Sequence, residues 1–267
     1  MKKLTKRIFS FMLSLVMLFS LTTTQVSAQE TQNITVDGYT FEVISKDIDG
    51  VTLSYNDNTE EYVFYLDKQN ELGKAEVDID ISQTSLLSRS EESSDYKIKF
   101  DENVEYTSDT EDFSSATLVD ETTGEEYSLN PNSRFAFAIP VGIPLLAAAI
   151  EALLAVGGAI IIAGVVYTVV EEVAEALKRQ KTYRYYAAVL RKNAVYVGGG
   201  LETTPAKALA YSNDSKGTVL ATSFSYAKGL VGNSYRGPEN HGSSSGYWSH
   251  IHAKKGSVSY KAHIWYL

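Results

Sequence analysis

The residues best suited to chemistry crowd one end of the chain. All four histidines lie within the last 27 residues, together with both tryptophans. The histidines are His241, His250, His252 and His263. Histidine titrates nearest to neutral pH of all unperturbed side chains and is also a common metal ligand. The crowding therefore predicts a functional site near the C-terminal end.

Two strands predicted at 247–252 and 259–266 would carry three of these histidines. Side chains two residues apart on a strand share a face, so His250 and His252 project together. The residues that share a face of the second strand are Lys261, His263 and Trp265. The pattern predicts a hairpin that presents imidazoles and an ammonium group on one solvent-accessible surface.

The length of the connecting loop sets the expected register. A four-residue loop at 255–258 places His250 opposite His263. The same register places His252 opposite Lys261. His241 enters the same surface from the preceding loop, which also contains Arg236 and Glu239.

One chemistry that suits this set is metal-independent cleavage of RNA. A neutral histidine would deprotonate a ribose 2′-hydroxyl, and a protonated one would protonate the leaving oxygen. Lys261 or Arg236 would stabilise the charge that develops on phosphorus. The candidate catalytic residues are His241, His250, His252, His263, Lys261, Arg236 and Glu239, and the rings expected to stack on bases are Tyr247, Trp248 and Trp265.

The other chemistry is metal binding, in which three imidazoles and Glu239 hold zinc. The His-x-His spacing of His250 and His252 favours it, but no second ligand pair of known spacing supports it. The surrounding residues are basic and aromatic, which suits phosphates and bases. The sequence therefore favours an RNase that needs no cofactor, with zinc as the alternative.

Charge divides the chain. Residues 29–134 hold 26 acidic and 7 basic side chains, a net charge of −19. Residues 178–267 hold 3 acidic and 13 basic side chains, a net charge of +10. Such asymmetry predicts that the basic part meets a polyanion or a membrane. It also predicts that the acidic part is an intramolecular partner that shields the basic one.

The first 28 residues have the pattern of a secretory signal peptide. Four basic residues precede the apolar run Ile8–Leu21, and Val26–Ala28 ends the segment with small residues. We therefore expect an exported protein. The chain has no cysteine, which excludes disulfides and thiolate chemistry.

An acidic β-rich domain is predicted over 29–134. Apolar and polar residues alternate around Asp37-Gly38, Asp49-Gly50 and Thr123-Gly124, which is typical of hairpins. The serine-rich stretch 82–94 is predicted to be a loop.

The segment 135–192 is different in kind. Ala152–Val170 is a charge-free run of 19 residues, long enough to span a bilayer as one helix. A basic helical extension is predicted to follow it as far as Lys192. Three interpretations stay open: a membrane anchor over 145–170, a segment that inserts into a target membrane, or a buried helix. Membrane contact is favoured, because so apolar a helix needs a large core on all sides.

A basic domain of α+β type is predicted over 193–267, ending in the histidine hairpin. Gly198-Gly199-Gly200 is a weak phosphate-loop signal, and Thr204-Pro205 predicts a helix start. The predicted fold is thus α+β: an N-terminal β-rich acidic domain, a central apolar helical segment, and a small C-terminal α+β domain.

Three short sequences carry a resemblance to a known group of proteins. They are Gly237-Pro238-Glu239-Asn240-His241-Gly242, Gly246-Tyr247-Trp248-Ser249-His250-Ile251-His252 and His263-Ile264-Trp265-Tyr266. With the export signal and apolar segment, they resemble secreted toxins of Gram-positive bacteria, and more broadly the C-terminal modules of polymorphic toxins. The resemblance implies a toxin role, without an activity, and implies an immunity protein as partner.

The leading hypothesis is therefore a secreted or membrane-associated bacterial toxin whose C-terminal domain acts on RNA. One alternative is a non-enzymatic toxin that damages membranes through the apolar segment. Another is a cell-surface binding protein that acts through its β domain.

Overall fold

The computed structural model describes residues 32–57, 59–68, 79–85, 93–110, 112–133, 141–215, 217–240 and 248–267. All of them belong to the unit Gln32–Leu267. The predicted signal peptide, His241 and Tyr247 lie outside the described residues. The predicted α+β class is confirmed at the level of mixed structure, with sheets predominating.

The acidic part forms an antiparallel sheet of eight strands. Its strands are β1 (Asn33–Val36), β2 (Tyr39–Lys46), β3 (Gly50–Asn56), β4 (Glu60–Asp67), β5 (Ile79–Ser85), β6 (Ser93–Lys99), β8 (Thr117–Asp120) and β9 (Glu126–Ser128); β7 (Glu105–Tyr106) joins a second sheet. Asp37 and Gly38 both have positive φ, at 48° and 84°. Such a turn matches the twist of a two-residue hairpin, as the Asp-Gly pattern predicts.

Both ends of the loop predicted over 82–94 are strand residues. Strand β5 continues to Ser85, and β6 begins at Ser93. The two strands pair from Asp80↔Lys97 to Thr84↔Ser93. Serine and threonine therefore extend the ladder here, and residues 86–92 lie outside the described residues.

The first apolar helix, α1 (Ile143–Gly157), packs on the inner face of this sheet. Its buried residues share a core with alternate strand residues. Representative core members are Phe41, Leu53, Phe64, Leu118 and Leu146, each 0% exposed. Alternation along the strands thus supplies one buried face, and α1 covers it.

The helix predicted over Ala152–Val170 is wrong, because α1 ends at Gly157. Gly158 follows in the left-handed conformation, with φ 56° and ψ 39°. The chain then forms the hairpin β10 (Ala159–Ile162) and β11 (Val165–Val169). β-Branched residues dominate both strands, and these favour strand over helix. The long charge-free run is a helix end plus a hairpin.

The basic helical extension is also shorter than predicted. Helix α2 spans Val170–Arg179, and Tyr185–Arg191 is strand β12. Within the described residues, no helix is both long and apolar enough to cross a bilayer.

The second sheet runs in the order β15-β16-β18-β14-β12-β13-β11-β10-β7. Its remaining strands are β13 (Ala194–Leu201), β14 (Gly217–Ala221), β15 (Tyr235–Glu239), β16 (His250–Lys255), β17 (Val258–Ser259), which pairs with β16 only, and β18 (Ile264–Tyr266). The boundary predicted at Asn193 falls in the turn between β12 and β13, which are paired strands of this sheet. Strand β7 pairs with β10, so the acidic part contributes a strand to the same sheet.

Helices cover both faces of this sheet. On one face, α3 (Thr203–Ala210) and α4 (Phe224–Val231) share a core with Val219, Ile251 and Ile264. On the other face, α2 shares a core with Leu220 and Trp265. Strand alternation puts His250 and His252 on the second of these faces, because His250 lies opposite Trp265.

Candidate metal centre

Three of the four histidines converge on the α2 face of the second sheet. The ring centroids of His250 and His252 lie 5.0 Å apart. The ring of His263 lies 4.7 Å from that of His250 and 4.8 Å from that of His252. One ring nitrogen from each of the three falls within 4.8 Å of the others. The predicted convergence of three imidazoles is thus present in the fold.

The register that brings them together differs from the predicted one. Lys254 pairs with Ser259, as the loop length implies, but His250 lies opposite Trp265 rather than His263. The chain leaves the ladder between β17 and β18, and those extra residues shift the register by two positions. His263 therefore lies beside His252, and the predicted partner Lys261 is exposed.

The solvent access expected for these rings is not found. His250 is 0% exposed, His252 is 3% exposed and His263 is 8% exposed. The hairpin forms part of a sheet covered by helices rather than a surface ribbon. Protonating several neighbouring buried imidazoles brings like charges together in a medium that solvates them poorly. Metal ions bind imidazole in its neutral form.

Backbone carbonyl groups orient two of the rings. The Nδ1 of His252 lies 2.9 Å from the carbonyl oxygen of Ala262. The Nδ1 of His250 lies 3.3 Å from the carbonyl oxygen of Trp248. In metalloproteins, a ligating histidine usually donates its second ring N–H to such an acceptor, which fixes the tautomer. Both rings are thus held so that Nε2 can be the metal-binding nitrogen.

The ring of His263 stacks on the indole of Trp265. Their centroids lie 5.0 Å apart, and their planes differ by 7°. Trp265 is 1% exposed, so the structure places it in the core rather than where a base could stack. Trp248 is half-buried and donates its indole N–H to Glu171 at 3.2 Å.

A carboxylate lies beside the three rings. Glu239 on β15 is opposite His250 in the ladder, and its Oε2 lies 3.8 Å from Nε2 of His252. Arg236 binds the same carboxylate, with Nε 2.6 Å from Oε1 and Nη2 3.3 Å from Oε2. Desolvation alone would raise the pKa of Glu239, but the hydrogen bond and the positive charge of Arg236 hold it below its usual range. The carboxylate is therefore held ionised.

Other neighbours of the site were not predicted from the sequence. Thr218 on β14 is 3% exposed and precedes Val219, whose N–H donates to the carbonyl oxygen of His263 at 3.4 Å. The carbonyl groups that orient the rings carry no sequence signal, because every residue has one. The two-residue spacing of His263 and Trp265 was the available signal for their shared face.

The triple glycine is a packing feature. A Cβ atom on Gly198 would lie 2.8 Å from the ring of Tyr167, and one on Gly200 would lie 2.3 Å from the ring of Tyr183. Both glycines belong to β13, so the absence of their side chains leaves room for these tyrosine rings. A phosphate loop is not formed there.

No protein-family model, no curated protein and no solved structure matches this chain. Tetrahedral zinc with Zn–N bonds of 2.0–2.1 Å needs ligand atoms about 3.4 Å apart. The three ring nitrogens lie within 4.8 Å of one another, so each pair would have to close by about 1.4 Å at most to reach that spacing.

Proposed function

We propose that the protein binds one divalent transition-metal ion through His250, His252 and His263. The observation that carries this proposal is the approach of three buried ring nitrogens to within 4.8 Å of one another. The carbonyl acceptors at Nδ1 of His250 and His252 support it, since they orient rings as in known metal sites.

Zinc is the preferred ion for this set of donors. Imidazole suits zinc, copper and nickel, whereas magnesium and calcium prefer oxygen ligands. Three imidazoles are a donor set that zinc accepts in a tetrahedral arrangement with one further ligand. Copper binds nitrogen sites more strongly than zinc does, so it serves as a useful probe of the same site.

Metal binding is tested with the chain purified after chelation and dialysis. Zinc is titrated against a chromogenic chelator at pH 7.5, and we expect one ion per chain. His252→Ala should abolish tight binding, because it removes one of three ligands. Lys261→Ala is the matched control, since Lys261 is exposed on the same segment. Wild-type protein that fails to compete with the chelator contradicts the proposal.

An exported toxin role is a separate proposal. It is supported by the resemblance over 237–266 and by the opposed charges of the two parts of the chain. Burial of the three rings favours a metal-dependent role for them over cleavage in which a ribose must touch two imidazoles. Expression of residues 29–267 in a bacterial cytoplasm tests the toxin role, and normal growth would count against it.

A further inference from the structure

We infer that Glu239 supplies a fourth metal ligand, so that the ion closes a four-ligand centre and fastens the edge strand β15 to the second sheet. This inference rests on the proposed metal binding by the three histidines. It assigns the ion a structural task and assigns Arg236 the task of positioning the carboxylate.

The position of Glu239 supports its role as the fourth ligand. Its Oε2 lies 3.8 Å from Nε2 of His252, which is close to the separation of two ligands on one zinc ion. It is also the ladder partner of His250. The four donors would come from β15, from β16 and from the segment just before β18. One ion would thus join three neighbouring stretches of chain.

The contact between Arg236 and Glu239 also supports this role. Its guanidinium contacts both oxygens of Glu239, at 2.6 Å to Oε1 and 3.3 Å to Oε2. Arg236 binds Oε1 at the shorter distance, and Oε2 is the oxygen that lies 3.8 Å from Nε2 of His252. Carboxylate ligands are usually held by such outer partners, and removing one typically weakens metal binding by roughly 10–100-fold. The pair therefore resembles a ligand with its support already in place.

The fourth ligand decides between a structural and a catalytic centre. Structural zinc sites have four protein ligands, whereas catalytic sites have three and a water molecule. Here the three imidazoles are buried, whereas the side chain of Glu239 is 32% exposed to solvent. A carboxylate in this place closes the site to substrates.

The edge strand has a structural need for such a tie. In the described part of the chain, β15 ends the second sheet and pairs only with β16. Its register shifts between Arg236 and Glu239, so the hydrogen-bond ladder is interrupted there. A bulged edge strand is held by few backbone bonds. A metal bond at Glu239 would anchor the strand where its ladder is irregular.

Cobalt spectroscopy with azide tests the fourth ligand in the whole protein. Co²⁺ replaces zinc, and azide binds only where a water molecule can be displaced. We expect azide to leave the visible spectrum of the Co²⁺-substituted wild type unchanged. Glu239→Ala and the isosteric Glu239→Gln should both respond to it. Glu61→Gln, which changes an exposed carboxylate on β4, should behave as wild type.

Each outcome bears on a different claim. An azide response in the wild type overturns the inference, because the fourth position is then open, while metal binding by the histidines stands. If azide leaves the Co²⁺ spectrum of both Glu239 variants unchanged, the inference is overturned too. His241→Ala would then test whether the remaining histidine is the fourth ligand. Failure of the wild type to bind Co²⁺ or Zn²⁺ at all is the failure of the proposed function itself.

Hydrogen exchange supplies a readout of the structural task. Zinc should slow amide exchange in β15 of the wild type and leave that of Glu239→Ala largely unchanged. Arg236→Gln should weaken zinc binding by roughly 10–100-fold and shift the Co²⁺ spectrum, and Arg236→Lys should restore part of both. Equal slowing of β15 in the wild type and in Glu239→Ala contradicts the structural task.

Discussion

The Nδ1 of His252 lies 2.9 Å from the carbonyl oxygen of Ala262. In a neutral imidazole only one nitrogen carries a proton, so a donor at Nδ1 leaves the lone pair at Nε2. That Nε2 lies 3.8 Å from the carboxylate of Glu239. The irregular segment between β17 and β18 thus selects the tautomer that a metal ion needs.

Metal binding should change the fluorescence of one tryptophan. Trp265 stacks on His263 at 5.0 Å, so a paramagnetic ion bound to that ring should quench it. We expect Cu²⁺ to quench the fluorescence of Trp248→Phe, in which Trp265 is the remaining tryptophan, and Trp265→Phe shows whether Trp248 is quenched as well. Thermal melting of both variants checks that they are folded. Absence of quenching in Trp248→Phe would place the ion elsewhere.

Zinc affinity should fall as the pH is lowered from 7.5 to 5.5. Metal binding needs neutral imidazoles, and protons compete for the same ring nitrogens. Three ligands make the dependence steeper than that of a single histidine. Chelator competition at several pH values measures it. An affinity that does not change over this interval would show that histidines are not the ligands.

Ala163 and Gly164 test the hairpin that replaces the predicted long helix. Both have positive φ, at 51° and 69°. A left-handed conformation costs an L-residue roughly 1–2 kcal/mol, so Ala163→Gly should raise the free energy of unfolding by about 1 kcal/mol. In a helix the same change lowers it by roughly 1 kcal/mol. Urea unfolding of Ala163→Gly therefore distinguishes the hairpin from the helix by the sign of the change in the free energy of unfolding. Gly164→Ala should change that free energy in the opposite direction.

Protonation of the Asp120 carboxylate should make the first sheet less stable in acid. Backbone N–H groups of Thr123 and Thr122, with Thr123 the stronger cause, hold the pKa of Asp120 below its usual value of 3.8. A depressed pKa in the folded state stabilises the fold above the unfolded value, and the effect is lost as the pH falls through the folded one. We expect a titration midpoint below 3.8 by NMR. Asp120→Ala should lose less stability than the wild type between pH 5 and pH 3.

Local sequence patterns predicted the parts of the fold that local interactions determine. The Asp37-Gly38 hairpin follows from turn residues and alternation, and the structure contains it. The prediction of a helix over 152–170 was wrong, because hydrophobicity alone does not distinguish a buried helix from a buried hairpin. The β-branched residues at 160–162 and 165–170 were the signal for strand.

The site was predictable in composition and not in environment. Spacing put His250 and His252 on one face, and the structure places His263 beside them. Burial depended on α2 and on strands distant in sequence, which the pattern of the hairpin alone does not contain. The ladder position of Glu239 depended on a bulge in β15, which also has no local signature.

The place of β18 in the second sheet affects how the protein can assemble. It is the last strand in sequence, yet it lies inside the sheet, parallel to β14 and antiparallel to β16. Within the described residues, β15 and β16 join the rest of the sheet through residues 264–266. Until that short stretch pairs on both of its sides, the sheet is in two pieces and His263 is apart from His250 and His252. Docking of β18 is thus the step that brings the three imidazoles together.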